Sequence, residues 1–123
     1  AGFTPMLSFA YPYGNNNTTI QGLVSAAGHS NARTVTPGYN TKATNKFALK
    51  GQSVEVGTSF ETVKAWIDAA VAGHTWLVLI FHPVDGSGNQ YGTTPAELTQ
   101  IVNYLKDHNV NVMPVKDVVP LMH

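Results

Sequence analysis

Two short stretches of this sequence carry residue types suited to acid–base or acyl-transfer chemistry. One is Leu79-Ile80-Phe81-His82, where an apolar run that starts at Trp76 ends on an imidazole. The other is Phe9-Ala10-Tyr11-Pro12-Tyr13-Gly14. Histidine is the side chain that changes charge near neutral pH, so His82 can serve as a general acid or base. Backbone N–H groups of a Pro-Tyr-Gly turn that leads into a helix can donate to a developing oxyanion. Plainer readings stand beside these. His82 can be a strand-end histidine bonded to a backbone carbonyl, and Tyr13-Gly14 a simple turn before a capped helix. Asp85 either orients His82 or caps the turn that follows it. Arg33 either supports a site or pairs with a loop carboxylate.

The elements that position these residues are legible as patterns. The run 76–82 lacks polar alternation and predicts a strand buried on both faces. Its C-terminal end lies where α/β proteins keep their ligands. Met6 to Tyr11 predicts another strand, so both chemical stretches would end at one rim. Thr18 and Gln21 have capping-box spacing, and Ile20, Leu23, Val24 and Ala27 form one helical face that Gly28 ends. Ala32 to Thr36 predicts a second strand. Residues 39–52 show no period and predict a long surface loop or insertion. Ser53 to Val56 predicts a short third strand. Thr58 and Glu61 suggest the next capping box, followed by a stripe of Val63, Trp66, Ile67, Ala70 and Val71 that Gly73 ends. On that stripe Trp66 reads as core, whereas Trp76 is open to either role. Gly86 to Gln90 predicts a flexible loop. Thr94, Pro95 and Glu97 predict a capped helix with stripe Leu98, Ile101, Val102 and Leu105, ended by Asn109. Val110 to Val115 predicts a last strand, and Lys116 to Leu121 a short helical turn. This alternation predicts an α/β fold of parallel strands joined by helices, with terminal strands exposed as edges.

Composition sets bounds. The 123 residues suffice for one modest core, and 43% are hydrophobic. Seven basic residues balance seven acidic ones. This balance gives no electrostatic case for nucleic acid or an anionic membrane. Charged residues are 11% of the chain, against about 25% in an average soluble domain. The expectation is a surface partly covered by a partner or by further chain. The absence of cysteine excludes disulfides and thiolate metal sites. No segment reaches the roughly 18 apolar residues of a membrane span. The chain opens on Ala1-Gly2-Phe3-Thr4-Pro5 without an initiator Met, which suggests a processed or truncated piece.

The two chemical stretches resemble motifs of the polysaccharide deacetylase family, the NodB-homology carbohydrate esterases. Phe9-Ala10-Tyr11-Pro12-Tyr13-Gly14 is similar to the family's third motif, and Leu79-Ile80-Phe81-His82 to its fifth. Ala32 to Asn40 resembles a segment many members carry between them. The resemblance covers essentially the whole chain, 1–123, as the C-terminal half of such a domain. It implies a partial (β/α)7-type barrel and a metal-dependent hydrolase that removes acetyl groups from a glycan. It also implies an extracellular or cell-envelope location. His82 would be the general acid on the leaving amine, and the Tyr13 backbone N–H would help hold the oxyanion. Leu79 would line the acetyl-methyl pocket, with Pro12, Gly14 and Trp76 nearby and Arg33 and Asp85 in possible support.

The departures weigh as much as the matches. The family uses a divalent metal such as zinc. Its ligands come from an Asp pair and an His-x-x-x-His, and neither pattern occurs here. His29, His74, His108 and His123 lack ligand spacing. The arginine of the usual third motif is Ala10, and Arg33 is a candidate replacement. The overlapping Asn-x-Thr acceptor patterns at Asn16-Asn17-Thr18-Thr19 carry little weight in an asparagine-rich loop. The expectation is therefore a chain without its own metal ligands or catalytic base, inactive alone because the activated water is missing. A missing N-terminal half, or self-association, would cover the open sheet edges. The alternative expectation is a non-catalytic half-barrel that self-associates or binds glycan.

Overall fold

The computed structural model describes residues 6–122, so the opening Ala1–Pro5 and the terminal His123 lie outside the described residues. The chain forms two compact units, one of residues up to Gly51 together with Met113 onward, the other Gln52–Val112. Among the described residues, no helix is long and apolar enough to cross a membrane.

The first unit is built on two parallel strands and the helix between them. β1 (Ser8–Ala10) and β2 (Asn31–Arg33) pair in parallel, with Ser8 opposite Asn31, Phe9 opposite Ala32 and Ala10 opposite Arg33. Alternation along a strand sends successive side chains to opposite faces. Phe9, Tyr11 and Ala32 therefore share one face, and they pack with Val24 of α1 (Thr18–Ala26) and with Phe47. Tyr11 is 3% exposed, and its hydroxyl donates to the Phe47 carbonyl at 2.9 Å. Burial pushes that phenol's pKa up. The cap of α1 differs from the predicted one. Asn17, not Thr18, accepts from Ile20 N at 2.9 Å. Gln21 instead donates to Asn16 Oδ1 at 2.7 Å and accepts from Asn45 at 2.9 Å. Asparagine caps at least as well as threonine and sits one residue earlier. Of the expected apolar face only Val24 is buried, and Ile20 and Leu23 stay exposed.

The aperiodic stretch 39–52 is not a free surface loop. Leu49 is fully buried and bridges Arg33 in parallel beside β2. Asn40, also fully buried, donates to the Lys50 carbonyl and accepts from Lys50 N, both at 2.9 Å. One amide side chain thus imitates a strand partner, which a search for hydrophobic period cannot detect.

The second unit repeats the scheme. β3 (Gln52–Ser53) and β4 (Leu79–Ile80) pair in parallel. The buried core is Val54, Val63, Ile67 and Ile101, drawn from β3's continuation, α2 (Phe60–Ala72) and α3 (Pro95–Asp107). Leu77, Leu79 and Phe81 pack against it from one side of the apolar run. Val78 and Ile80 are buried. The predicted seven-residue strand forms only a two-residue ladder. Its partner leaves early, because Val54 N donates to Ile80 O but Val56 N turns to Gln90 O. Pro83 has no N–H with which to continue.

Ser59 caps α2 by accepting from Thr62 N at 3.1 Å, in place of the predicted Thr58–Glu61 box. The Thr58 hydroxyl is committed to a turn, accepting from Glu55 N at 3.1 Å. On α2, Val63, Ile67 and Ala70 are buried and Trp66 packs on the core as expected, while Val71 is exposed. α3 has the predicted capping box of Thr94 and Glu97 with Pro95 in the first turn. On its stripe Ile101 is buried, but Val102 is exposed and Tyr104 packs on the core. Val110 to Val115 joins no β ladder among the described residues. It leads into α4 (Val115–Val118) and a 3-10 turn, Val119–Met122, so the predicted last helical turn is present and the predicted last strand is not.

The three long helices end alike. After each, the N–H of the second residue past the cap reaches back five positions, and the residue before it is left-handed. The bonds are His29 N to Val24 O, Thr75 N to Ala70 O, and Val110 N to Leu105 O. The left-handed residues are Gly28, His74 (φ 48°) and Asn109 (φ 52°). Glycine holds this conformation without a Cβ penalty, whereas an L side chain pays about 1–2 kcal/mol. His74→Gly is therefore expected to stabilise the protein by about 1 kcal/mol, read as a higher denaturant midpoint at unchanged slope.

α2 and α3 are also tied on their outer side. The Tyr104 hydroxyl donates to Asp68 Oδ1 at 2.5 Å, and Lys64 Nζ lies 2.7 Å from Asp68 Oδ2. Lys64 first, then Tyr104, holds the Asp68 carboxyl below its usual range. Glu97 is lowered by the Thr94 N–H, then by the Thr93 and Thr94 hydroxyls. A carboxyl whose folded pKa is lowered stabilises fully above its unfolded value. That contribution is lost as pH falls through the folded value. The thermal midpoint should therefore fall below about pH 4, where free carboxylates begin to protonate. An Asp68→Asn, Glu97→Gln variant should show a shallower fall across the same melting series.

Candidate functional site

The first unit presents the turn after β1. Tyr11 N donates to Arg33 O, which keeps the chain beside β2 up to Pro12. Pro12–Gly14 then makes one 3-10 turn, with Gly14 N donating to Tyr11 O at 2.9 Å and Asn15 N to Pro12 O at 3.2 Å. The fixed φ of Pro12 favours the start of such a turn. Tyr13 follows at φ 55°, ψ 14°, and Gly14 at φ 73°. A left-handed tyrosine costs about 1–2 kcal/mol. Its ring does not offset this by packing, because Tyr13 is 93% exposed. The Tyr13 amide serves neither bond of the turn. A strained non-glycine residue with a spare amide is where a functional reading starts. Gly14 has no alternative, since a Cβ there would run into the Val35 Cγ2 methyl and lie 3.0 Å from Val35 N.

The strand register adds Arg33. It stands directly opposite Ala10, and parallel partners project to the same face. Arg33 is half-buried, and among the described residues its guanidinium makes no ion pair. Pro12, Tyr13, Gly14 and Arg33 thus cluster at the end of one strand pair.

The second unit presents His82, two residues beyond β4 and exposed. Its ring lies against Tyr91, with centroids 5.4 Å apart and planes at 42°. Among the described residues His82 makes no hydrogen bond, so the carbonyl-bonded strand-end histidine is not the arrangement found. The chain after it closes on itself. Thr93 N donates to Pro83 O at 3.0 Å, and Val84 bridges Thr93. Asp85 accepts from Ser87 N at 2.9 Å, so its carboxylate caps the turn and is held below its usual pKa by that N–H. Leu79 is half-buried and packs on the Val54, Val63, Ile67 and Ile101 core. Strand alternation places Ile80 rather than Leu79 on the side that continues to His82. Trp76 is half-buried at the start of the run. A pocket at the start of α3, walled by Gly57, Gly86, Gly88, Gly92, Thr93 and Glu97 among others, includes neither His82 nor Tyr91.

Tyr91 is the contact sequence reasoning missed. It follows His82 by a glycine-rich segment with no period, and only a ring among turn formers hinted at a role.

Among the described residues no three His, Cys, Asp or Glu side chains gather. His29 Nδ1 lies 2.7 Å from Met6 O, and His108 Nδ1 lies 2.9 Å from Tyr104 O. His74 serves the end of α2.

The chain matches no protein-family model, no curated protein and no solved structure.

Proposed function

We propose that this chain is the C-terminal part of a polysaccharide deacetylase-like domain, a partial (β/α)7-type barrel acting on an acetylated glycan. The observation that carries the reading is the left-handed, exposed Tyr13 at the end of β1, whose amide has no partner among the described residues. That amide would donate to the oxyanion formed as the acetyl carbonyl is attacked, a term worth about 10²–10³ in rate. Arg33, opposite Ala10, would supply the positive charge that the third motif lacks at position 10. His82 would give a proton to the leaving amine nitrogen, with Tyr91 fixing the ring's tilt. Activation of the attacking water is assigned to residues outside this sequence, which holds neither the Asp pair nor the His-x-x-x-His of the family.

Acetate release from N-acetyl-chitooligosaccharides tests this. The chain alone with zinc should release none. Release should appear when a segment carrying the Asp pair and His-x-x-x-His of the family is added with zinc. Deacetylation by the chain alone would sink the half-site reading. The second reading, a glycan-binding half-barrel without catalysis, is favoured by the bare Tyr13 ring. Oligosaccharide binding without acetate release in either mixture would select it.

A further inference from the structure

The even charge balance of the sequence hides a separation between its two units. The first holds five basic residues and one acidic, the second two basic and six acidic. The first unit's acid, Asp117, is paired with Lys116 at 2.6 Å. Its other cations, Arg33, Lys42, Lys46 and Lys50, all lie within residues 33–50, a stretch without Asp or Glu. Among the described residues none of the four makes an ion pair. The three lysines are exposed and Arg33 is half-buried. Backbone bonds hold this stretch against β2. Ala32 N donates to Lys46 O at 2.9 Å and Thr34 N to Leu49 O at 2.8 Å, so the chain from Lys46 to Lys50 runs beside Arg33. Asn40 clamps the Lys50 backbone, and the Lys50 stem lies over Gly38, where an added Cβ would come within 2.9 Å of Cδ. Lys46 and Lys50 are at most about 14 Å apart along the chain. Lys42 precedes them in a turn closed by Thr44 N on Thr41 O.

We propose that these lysines form a strip that binds the negative charges of an acidic acetylated glycan, one carrying carboxylates at intervals along its chain. Unpaired charges of one sign at a surface raise the local concentration of an oppositely charged ligand. The strip is continuous with the turn that carries Tyr13. Arg33 stands in register with Ala10 on one side and bridges Leu49 on the other. Neighbouring strands are about 4.8 Å apart, which puts Leu49 about 10 Å from Ala10. An oligosaccharide a few sugars long, with one acetyl group at the Tyr13 amide, therefore reaches Lys46 and Lys50. Lysine ammoniums on flexible stems suit charges carried on such a polymer at varied positions. The inference rests on the reading of the Tyr13 turn as a glycan site, and adds the charge of the glycan to it.

Titration calorimetry on the full chain tests it with two acetylated ligands. Hyaluronan oligosaccharides alternate N-acetylated sugars with uronic acids, and N-acetyl-chitooligosaccharides carry no charge. At about 0.01 M salt the acidic ligand should bind about tenfold tighter, the sum of a few exposed charge pairs. At about 1 M salt the two should bind alike, because the screening length falls from about 30 Å to about 3 Å. Lys46→Gln combined with Lys50→Gln should erase the low-salt preference and leave chitooligosaccharide affinity unchanged. Lys46→Arg combined with Lys50→Arg should keep the preference, and far-UV circular dichroism checks that both variants are folded. Equal affinities at low salt overturn the proposal, as does a preference that survives in the glutamine variant. Binding of the neutral ligand alone also overturns it and leaves the deacetylase reading standing, whereas binding of neither sinks both. Tighter binding of a single-stranded oligonucleotide of equal charge would overturn it in favour of nucleic acid. Loss of the preference once the upstream segment is added would overturn it by assigning the lysines to that segment.

Discussion

Replacing Gly14 with alanine should destabilise the protein by about 2–5 kcal/mol, summing left-handed strain and an overpacked contact. Folded domains are stable by only about 5–15 kcal/mol, so this is a large share. Two effects combine at one position. At φ 73° an alanine is strained, and its Cβ would run into Val35. Val35 lies in the segment after β2, so the collision strains the contact that holds the Tyr13 turn. Gly28 separates the two effects. It is also left-handed, at φ 92°, but a Cβ there meets nothing within 4 Å. Gly28→Ala should cost only the backbone term, about 1 kcal/mol. Chemical denaturation of the two variants measures the difference directly. Equal losses at both sites would mean that the packing of the turn on Val35 contributes nothing.

His82→Ala should lower acetate release by about 10²–10⁴-fold in the two-part assay, with little change in oligosaccharide affinity. This range is the usual worth of a positioned general acid. His82 carries no hydrogen bond among the described residues and is exposed, so its removal leaves no buried polar group unpaired. The fold should therefore tolerate the change, and the loss would be chemical. Tyr91→Ala removes the ring that His82 rests against, and Tyr91→Phe keeps it. If Tyr91 positions the imidazole, the alanine variant loses rate and the phenylalanine variant recovers it. An unchanged rate in His82→Ala would remove the acid role from this residue.

How much of this was legible in the sequence depended on the range of the interactions. The Thr94–Pro95–Glu97 start of α3 and its end at Asn109 were readable, because caps are set by neighbours in sequence. The caps of α1 and α2 were each misplaced by one residue, where two adjacent side chains could both cap. Asn17 took the role from Thr18, and Ser59 took it from a Thr58 engaged with Glu55. The apolar run 76–82 was readable as buried chain, but the length of its ladder depends on where β3 turns away. The seating of Leu49 and Asn40 beside β2 left no periodic trace. The residue types of Tyr13, in the first unit, and of His82, in the second, could be picked out in the chain. The strain at Tyr13, the register that sets Arg33 against Ala10, and the ring of Tyr91 beside His82 could not. Each depends on backbone angles or pairings that residue type alone does not determine.

The amide of Tyr13 is the most direct test of the central claim. In a ¹H–¹⁵N spectrum of the labelled chain, titration with an N-acetyl-chitooligosaccharide should shift the Tyr13 and Gly14 amides and the His82 ring signals. The rest of the spectrum should stay in place. A titration that moves none of these signals, or moves only residues remote from them, would contradict the assignment of this turn and this histidine to a glycan deacetylase.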